Sequence, residues 1–255
     1  MIQVVPIPAF KDNYLWLLTN GSQAAIVDPG DSQPVIDYLT QHRLNLAAIL
    51  ITHHHADHIG GLAALKEKYQ PEEVFGPAGE TIPGVTRKLK QDDQITVPGL
   101  GCRFSVLDIP GHTAGHIAYL GEGRLFCGDT LFAGGCGRVF EGTMAQMRHS
   151  LAKLKNLPGD TLVYCAHEYT LANLKFARAV EPENPVLAAR EERDKATRAA
   201  NQPTVPTRIS IEVDTNPFLR WDAPQVIAAA RQRLHQASPS PDEVFGAIRE
   251  WKNSF

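Results

Sequence analysis

The sequence has few cysteines, and they show no pairing pattern. Its 255 residues include four of them, without a CxxC spacing, at Cys102, Cys127, Cys136 and Cys165. Scattered thiols are typical of a reduced cytosolic protein rather than of a disulfide framework, and a chain of this length has an ample core without disulfides. We therefore expect a cytoplasmic protein whose cysteines are reduced and mostly buried.

Long apolar runs and an excess of basic charge are also missing. No stretch approaches the ~18 uncharged apolar residues of a membrane span, and the first residues carry no basic segment followed by a long apolar one. The formal net charge is −3, which gives no reason to expect nucleic acid or an anionic membrane as a partner. We expect a monomer that acts on a small molecule.

The pattern of strands and helices changes along the chain. Short apolar strands separated by turns are predicted at residues 3–7, 14–19, 24–27, 47–51, 103–108, 116–120, 124–127 and 161–164, with helices at 34–42, 59–69 and 143–157. Strands mixed with helices favour an α/β layering. After about residue 170, helices are predicted at 171–180, 186–200, 224–236 and 241–252, with an irregular segment at 202–207. We expect a catalytic sheet domain over 1–170 and a helical substrate-binding domain over 171–255.

One loop contains four candidate metal ligands. The run His53-His54-His55-Ala56-Asp57-His58 lies between a predicted strand and a predicted helix. Residues two apart in extended backbone project to the same side, so one metal subsite can take the first and third histidines of the run. The aspartate and the last histidine then serve a second subsite, while His54 points away from both. An internal run that contains an aspartate is not a cloning tag. The alternative to a metal site is therefore a solvated loop.

Three further strand ends carry candidate ligands, at His112, Asp129 and His167. Singly, Asp129 is equally suited to a turn or helix cap, and His167 to a structural role. His116 either supports a ligand or simply begins a strand. Seven candidates exceed the four ligands of one zinc ion but suit two three-residue sets that share a carboxylate. The sequence therefore predicts a binuclear metal centre.

The pattern resembles the metallo-β-lactamase superfamily, whose His-x-His-x-Asp-His motif is present at residues 53–58. Within it, the chain is similar to the glyoxalase II, or hydroxyacylglutathione hydrolase, family over nearly its whole length. The matching segments are 7–14, 27–30, 128–132, 135–138, 141–143, 166–170 and 216–220. The resemblance implies an α/β fold, a four-layer αββα sandwich with a C-terminal helical domain.

The resemblance also implies a role for individual residues. It assigns His53, His55 and His112 to the first metal, Asp57, His58 and His167 to the second, and Asp129 to the bridge, with Asp28 steadying the ligand loops. It implies that the glutathione moiety is bound by Arg138, Tyr169, Arg249 and Lys252, beside His167. A solvated helix face is the alternative for the pair Arg249 and Lys252. Phe140 stands where many relatives have a tyrosine, which removes one hydroxyl from the substrate site.

The implied reaction is hydrolysis of S-D-lactoylglutathione to D-lactate and glutathione, the second step of methylglyoxal detoxification. Two divalent ions, zinc first and iron or manganese as alternatives, would hold a hydroxide nucleophile near Asp57 and Asp129. Cys136 is a weaker candidate nucleophile, because its glycine-rich surroundings supply neither a base nor an orienting group. The rival functions are a persulfide dioxygenase with one iron, a β-lactamase, an RNA-processing nuclease, and a zinc-stabilised module without catalysis.

Overall fold

The structure, a computed structural model, describes residues 2–255, which divide into two compact units. The first unit extends to Asp108 and resumes over Thr113–Gly128, and the second comprises Ile109–His112 and Asp129–Phe255. These units follow spatial packing, whereas the expected boundary at residue 170 follows the change from strands to helices. That boundary stays a prediction.

A six-stranded sheet lies at the centre of the first unit. In spatial order its strands are β1 (Gln3–Ala9), β2 (Asn13–Thr19), β3 (Gln23–Val27), β4 (Asn45–Leu50), β5 (Glu73–Pro77) and β6 (Arg87–Leu89). β1, β2 and β3 pair antiparallel, and β3 to β6 pair parallel. Because β3 and β4 are parallel, both carboxyl ends reach the same sheet edge, which is where Asp28 and the histidine run follow.

Helices cover one face of this sheet. They are α1 (Gln33–His42), the short α2 (Ala56–Ile59) and α3 (Leu62–Tyr69). Apolar residues at helical spacing, in α1 Val35 and Leu39 and in α3 Leu62 and Leu65, are buried among alternate residues of β1 to β4. The unit also holds four antiparallel strands, in the spatial order β10 to β7: β7 (Gln94–Thr96), β8 (Arg103–Asp108), β9 (Ile117–Gly121) and β10 (Arg124–Gly128).

The predicted continuous helix over residues 59–69 is wrong. The chain forms α2 and α3 instead, separated by Gly60 and Gly61. The Gly61 amide donates to Pro29 O (2.8 Å), and a Cβ on Gly61 would lie 2.5 Å from the Ser32 nitrogen. This close backbone approach requires glycine. It also places Asp57 and His58 inside a short helix of their own rather than on a turn.

The second unit is mostly helical. Its helices are α4 (Met144–Lys155), α5 (Thr170–Val180), α6 (Pro185–Ala199), α7 (Ile209–Thr215), α8 (Pro224–Leu234) and α9 (Pro241–Ser254). Its strands form two antiparallel pairs, β11 (Leu131–Phe132) with β12 (Gly135–Cys136) and β13 (Leu162–Cys165) with β14 (Thr207–Arg208). The segment expected to be irregular thus ends in a strand. Across residues 2–255, no helix is long and apolar enough to cross a membrane.

Sequence features explain where these helices begin. Thr143 and Ser240 each form a capping box with the residue three positions on, and Asn184 accepts from the amides of Val186 and Leu187. Proline stands in the first turn of α6, α8 and α9, where its missing amide hydrogen costs nothing.

A buried ion pair between Arg190 and Glu212 links several elements of the second unit. Arg190 donates to Glu212 Oε1 (2.6 Å) and Asp194 Oδ2 (3.3 Å). The other Glu212 oxygen accepts from the Gly134 amide (2.8 Å) and from Asn216 Nδ2 (3.0 Å). One buried carboxylate therefore connects α6 and α7 to the turn between β11 and β12.

Replacing Glu212 by glutamine should destabilise the protein. The substitution leaves the buried Arg190 with Asp194 as its remaining anion, and removing one partner of a buried ion pair costs about 3 kcal/mol or more. We expect the free energy of unfolding, measured by urea denaturation, to fall by about that amount. Glu192→Gln, which breaks an exposed pair with Lys195, is the control and should change nothing measurable. Equal stability of the two variants would contradict this account.

Candidate active site

Asp28 organises the ligand loop of the first unit. It follows β3 directly and has a left-handed backbone (φ +49°), an uncommon conformation outside glycine. Its buried carboxylate accepts hydrogen bonds from the Thr52 amide (2.7 Å), the Thr52 hydroxyl (2.6 Å) and His58 Nδ1 (3.1 Å). Asp28 thus restrains the residues at both ends of the loop.

The hydrogen bonds of Thr52 fix the tautomer of His53. The single hydroxyl hydrogen of Thr52 is donated to Asp28, so at 3.0 Å the hydroxyl oxygen accepts from His53 Nδ1. His53 Nε2 then carries a lone pair that can bind a cation. His116 stacks on the His53 ring (4.5 Å, 18°) and donates from Nδ1 to Ile117 O (3.0 Å). The residue predicted either to support a ligand or to begin a strand therefore contacts a candidate ligand one residue before β9.

The donor atoms of the loop converge in two pairs. His53 Nε2 lies 3.2 Å from His55 Nδ1, and His58 Nε2 lies 3.6 Å from Asp57 Oδ2. Around a tetrahedral metal with bonds near 2.1 Å, two ligand atoms are separated by about 3.4 Å. Both separations therefore fit neighbouring ligands of one cation. The two pairs match the spacing of the two predicted subsites, and the assignment of each pair to a metal ion stays a prediction.

In the second unit, the carboxylate of Asp129 lies close to two candidate histidine ligands. Its Oδ2 lies 3.5 Å from His112 Nε2, and its Oδ1 lies 3.3 Å from His167 Nε2. The carboxylate thus faces a different histidine with each oxygen, again at the separation expected for two ligands of one metal. His112 Nδ1 donates to Arg138 O (2.8 Å), which leaves its Nε2 as the metal-binding atom. The donor set and its spacing fit a divalent binuclear metal centre.

A cavity of about 420 Å³ lies beside these ligands in the second unit. It is lined by His112, Asp129, Phe132, Cys136, Gly137, Arg138, Phe140, Tyr169, Ala172, Asn173, Arg249 and Lys252. Tyr169 stacks on the His167 ring (4.7 Å), and the exposed Phe140 lies edge-to-face with His112 (5.3 Å). The cavity volume suits a small molecule that approaches the candidate metal ligands from this side.

Three cationic residues on the cavity wall differ in their surroundings. Arg138 is exposed, whereas Arg249 is buried, donating from Nη1 to Cys136 O (2.7 Å) and from Nη2 to Asn253 (3.2 Å). Lys252 donates to Ala172 O (3.1 Å), and burial, followed by the charge of Arg249, lowers its pKa to about 8. Arg249 is therefore held rigidly, and Lys252 changes its charge near neutral pH.

Cys136 lacks the character of a nucleophile. Burial raises the pKa of its thiol, and the neighbouring Arg249 offsets this effect only in part. A thiol with a raised pKa is protonated at neutral pH and is a poor nucleophile. The hydroxide that the sequence predicts as the nucleophile makes a thiol nucleophile unnecessary.

Sequence reasoning missed three residues of the site. Phe132 and Asn173 line the cavity, and Asn173 donates to Ala133 O (3.1 Å). Asn13, the first residue of β2, donates to Asp57 Oδ2 (3.2 Å). A signal was present for two of them, since Asn13 and Phe132 lie in the family-like segments 7–14 and 128–132. Asn173 lies in no such segment and does not stand out from ordinary core residues.

Comparison with known proteins agrees with this geometry. Residues 12–167 match the metallo-beta-lactamase superfamily, and residues 168–255 match the hydroxyacylglutathione hydrolase C-terminus family. Hydroxyacylglutathione hydrolases of Nitrosomonas eutropha and Vibrio cholerae are each 53% identical, over 255 and 256 residues that cover 100% of both chains. Among solved structures, ETHE1 from Myxococcus xanthus is 25% identical with a TM-score of 0.66, covering 100% of this chain and 99% of that one. A Staphylococcus aureus metallo-beta-lactamase is 19% identical with a TM-score of 0.64, covering 98% and 71%.

The chain belongs to the metallo-β-lactamase superfamily, and the predicted fold class, an α/β sandwich with a C-terminal helical region, is confirmed. Full-length relatives and the match of its C-terminal residues narrow this further. It is a member of the hydroxyacylglutathione hydrolase family.

Asp28→Asn should weaken metal binding without unfolding the protein. An amide cannot accept all three hydrogen bonds of this carboxylate, and losing such support of a ligand typically costs 10- to 100-fold in metal affinity. We expect a fall of that size in Zn²⁺ affinity, measured by competition with a chromophoric chelator. Asp31→Asn is the control. Asp31 lies in the loop between β3 and α1 that also contains Asp28, and this variant should retain wild-type affinity. Unchanged affinity in Asp28→Asn would contradict the role assigned to this residue.

Proposed function

We propose that the protein hydrolyses the thioester of S-D-lactoylglutathione to D-lactate and glutathione. The observation that carries this proposal is the carboxylate of Asp129, whose two oxygens face His112 and His167 at 3.5 and 3.3 Å. A carboxylate that faces a different histidine with each oxygen suits a two-metal hydrolytic site. The cationic cavity beside it suits an anionic thiol carrier such as glutathione.

We assign the ligands by combining the donor pairs with the family pattern. By that pattern, His53, His55 and His112 would hold one ion, Asp57, His58 and His167 would hold the other, and Asp129 would serve both. Zinc is our first choice for both ions, with iron or manganese as alternatives. Bound there, the ions would supply a hydroxide near neutral pH and polarise the thioester carbonyl.

The remaining chemistry belongs to residues of the chain. Asp57 and Asp129 contribute the negative charge of the metal site, and Asp28 and the Arg138 carbonyl orient the imidazoles of His58 and His112. The leaving thiolate has a conjugate acid of pKa about 8.5, so its departure needs no strong general acid.

We propose that the glutathione moiety lies along the second unit. Lys252 and Arg138 attract its carboxylates, and Arg249 lends its charge from a fixed position. Tyr169, stacked on His167, offers its ring and hydroxyl where Phe140 offers only an apolar ring. We further propose that the enzyme acts as a monomer in the reducing cytoplasm, in keeping with its four buried cysteines, none of which is in a disulfide in residues 2–255.

The assay that tests this function uses purified, zinc-loaded protein and S-D-lactoylglutathione. We expect thioester loss matched by one free thiol per turnover, and two metal ions per chain by mass spectrometry. The 53% identity to hydroxyacylglutathione hydrolases, over the full length of both chains, favours thioester hydrolysis over persulfide oxidation. Hydrolysis of a β-lactam instead, or oxygen uptake with glutathione persulfide, would contradict the proposal.

The pH profile should depend on Lys252. Its ammonium is present below about pH 8 and is lost as the pH rises through that value, so kcat/KM for the anionic substrate should fall on the alkaline side. Lys252→Arg keeps its charge and should remove this alkaline decline. Lys195→Arg, on an exposed helix face, should keep the wild-type profile. An alkaline limb unchanged in Lys252→Arg would exclude Lys252 as the titrating group.

A further inference from the structure

Glu80 is a buried acid that the proposed reaction does not use. It follows β5 in the first unit, and its side chain is only 3% exposed. A buried carboxylate is stable only when its oxygens are well paired. One oxygen, Oε2, accepts from His54 Nδ1 at 2.9 Å, and the other, Oε1, accepts a hydrogen bond from the Thr113 hydroxyl.

The His54 arm leads directly to candidate ligands. His54 is the one histidine of the run that binds no metal in our assignment, and its bond to Glu80 fixes its ring. That ring meets His55 edge-on, with centroids 5.1 Å apart, and His55 in turn meets His53 at 4.8 Å. A rotation of His54 would therefore displace the imidazole whose Nδ1 faces His53 Nε2 at 3.2 Å.

The Thr113 arm leads to a second loop. Thr113 is fully buried and directly follows His112 in the sequence. The backbone of this loop packs closely against Gly79 and Glu80. A Cβ on Gly115 would lie 2.5 Å from Glu80 Cγ and 2.9 Å from the Gly79 carbonyl carbon, so only glycine fits there. The loop is thus shaped to contact Glu80 closely.

We propose that Glu80 is a positioning residue for the reaction, which through His54 and Thr113 sets the orientation of two ligand-bearing loops at once. It touches neither the substrate nor a metal ion. The inference rests on the proposed function, because it assigns to Glu80 the geometry of that same metal site. Groups that support a ligand in this way typically affect metal affinity or activity by 10- to 100-fold when removed.

The test compares Glu80→Ala and Thr113→Val with the wild-type enzyme. We expect both to lower Zn²⁺ affinity and kcat by about 10-fold while KM changes less than about twofold, and to shift the visible bands of the cobalt-substituted enzyme. Thr113→Ser keeps the hydroxyl and should restore wild-type values. Because Glu80 and Thr113 act through one bond, the double variant should lose less than the product of the two single losses.

The chain offers a matched control pair, Glu73 at the start of β5 and Thr86 just before β6. Glu73 accepts from the Thr86 hydroxyl (2.8 Å), away from the ligand loops, so Glu73→Ala should leave cobalt bands and kcat unchanged. Wild-type affinity, bands and kcat in Glu80→Ala and Thr113→Val would overturn the inference, as would an equal loss in Glu73→Ala. A wild-type protein that binds no metal or has no thioesterase activity would instead contradict the proposed function, and the inference with it.

Discussion

A buried imidazole has two ring nitrogens, and both need a partner. At His53, His58 and His112 one nitrogen is bound to a group of the protein: the Thr52 hydroxyl, the Asp28 carboxylate and the Arg138 carbonyl. The opposite nitrogen is thereby fixed as the one that can bind a cation. The site depends on this constraint, because it sets the tautomer and the direction of each ring before any metal binds.

The same constraint explains how the fold prepares the site. Asp28 can reach both Thr52 and His58 because β3 and β4 are parallel and end at one sheet edge. Its left-handed backbone stores strain at a position where three hydrogen bonds hold it. In the second unit Asp129 directly follows β10, and its carboxylate lies between two histidines that come from distant parts of the sequence.

Much of this arrangement was predictable from sequence. Apolar runs between turn residues revealed the longer strands except β5, and the density of histidines and aspartates after them indicated a binuclear centre. The break between α2 and α3 was not predictable, because it depends on backbone contacts of Gly61 with the Pro29 to Ser32 turn. Strands of two or three residues such as β6, β12 and β14 escape periodicity altogether. Glu80 and Asn173 gained their relevance only from spatial neighbours far away in sequence.

The central claim is that Asp129 is shared by two metal ions. Its most direct test is an anomalous difference map at the zinc edge, from crystals of the metal-loaded protein. The account predicts two peaks about 3.5 to 4 Å apart, one near each oxygen of the Asp129 carboxylate. A single peak, or two peaks of which neither lies within bonding distance of Asp129, would contradict it.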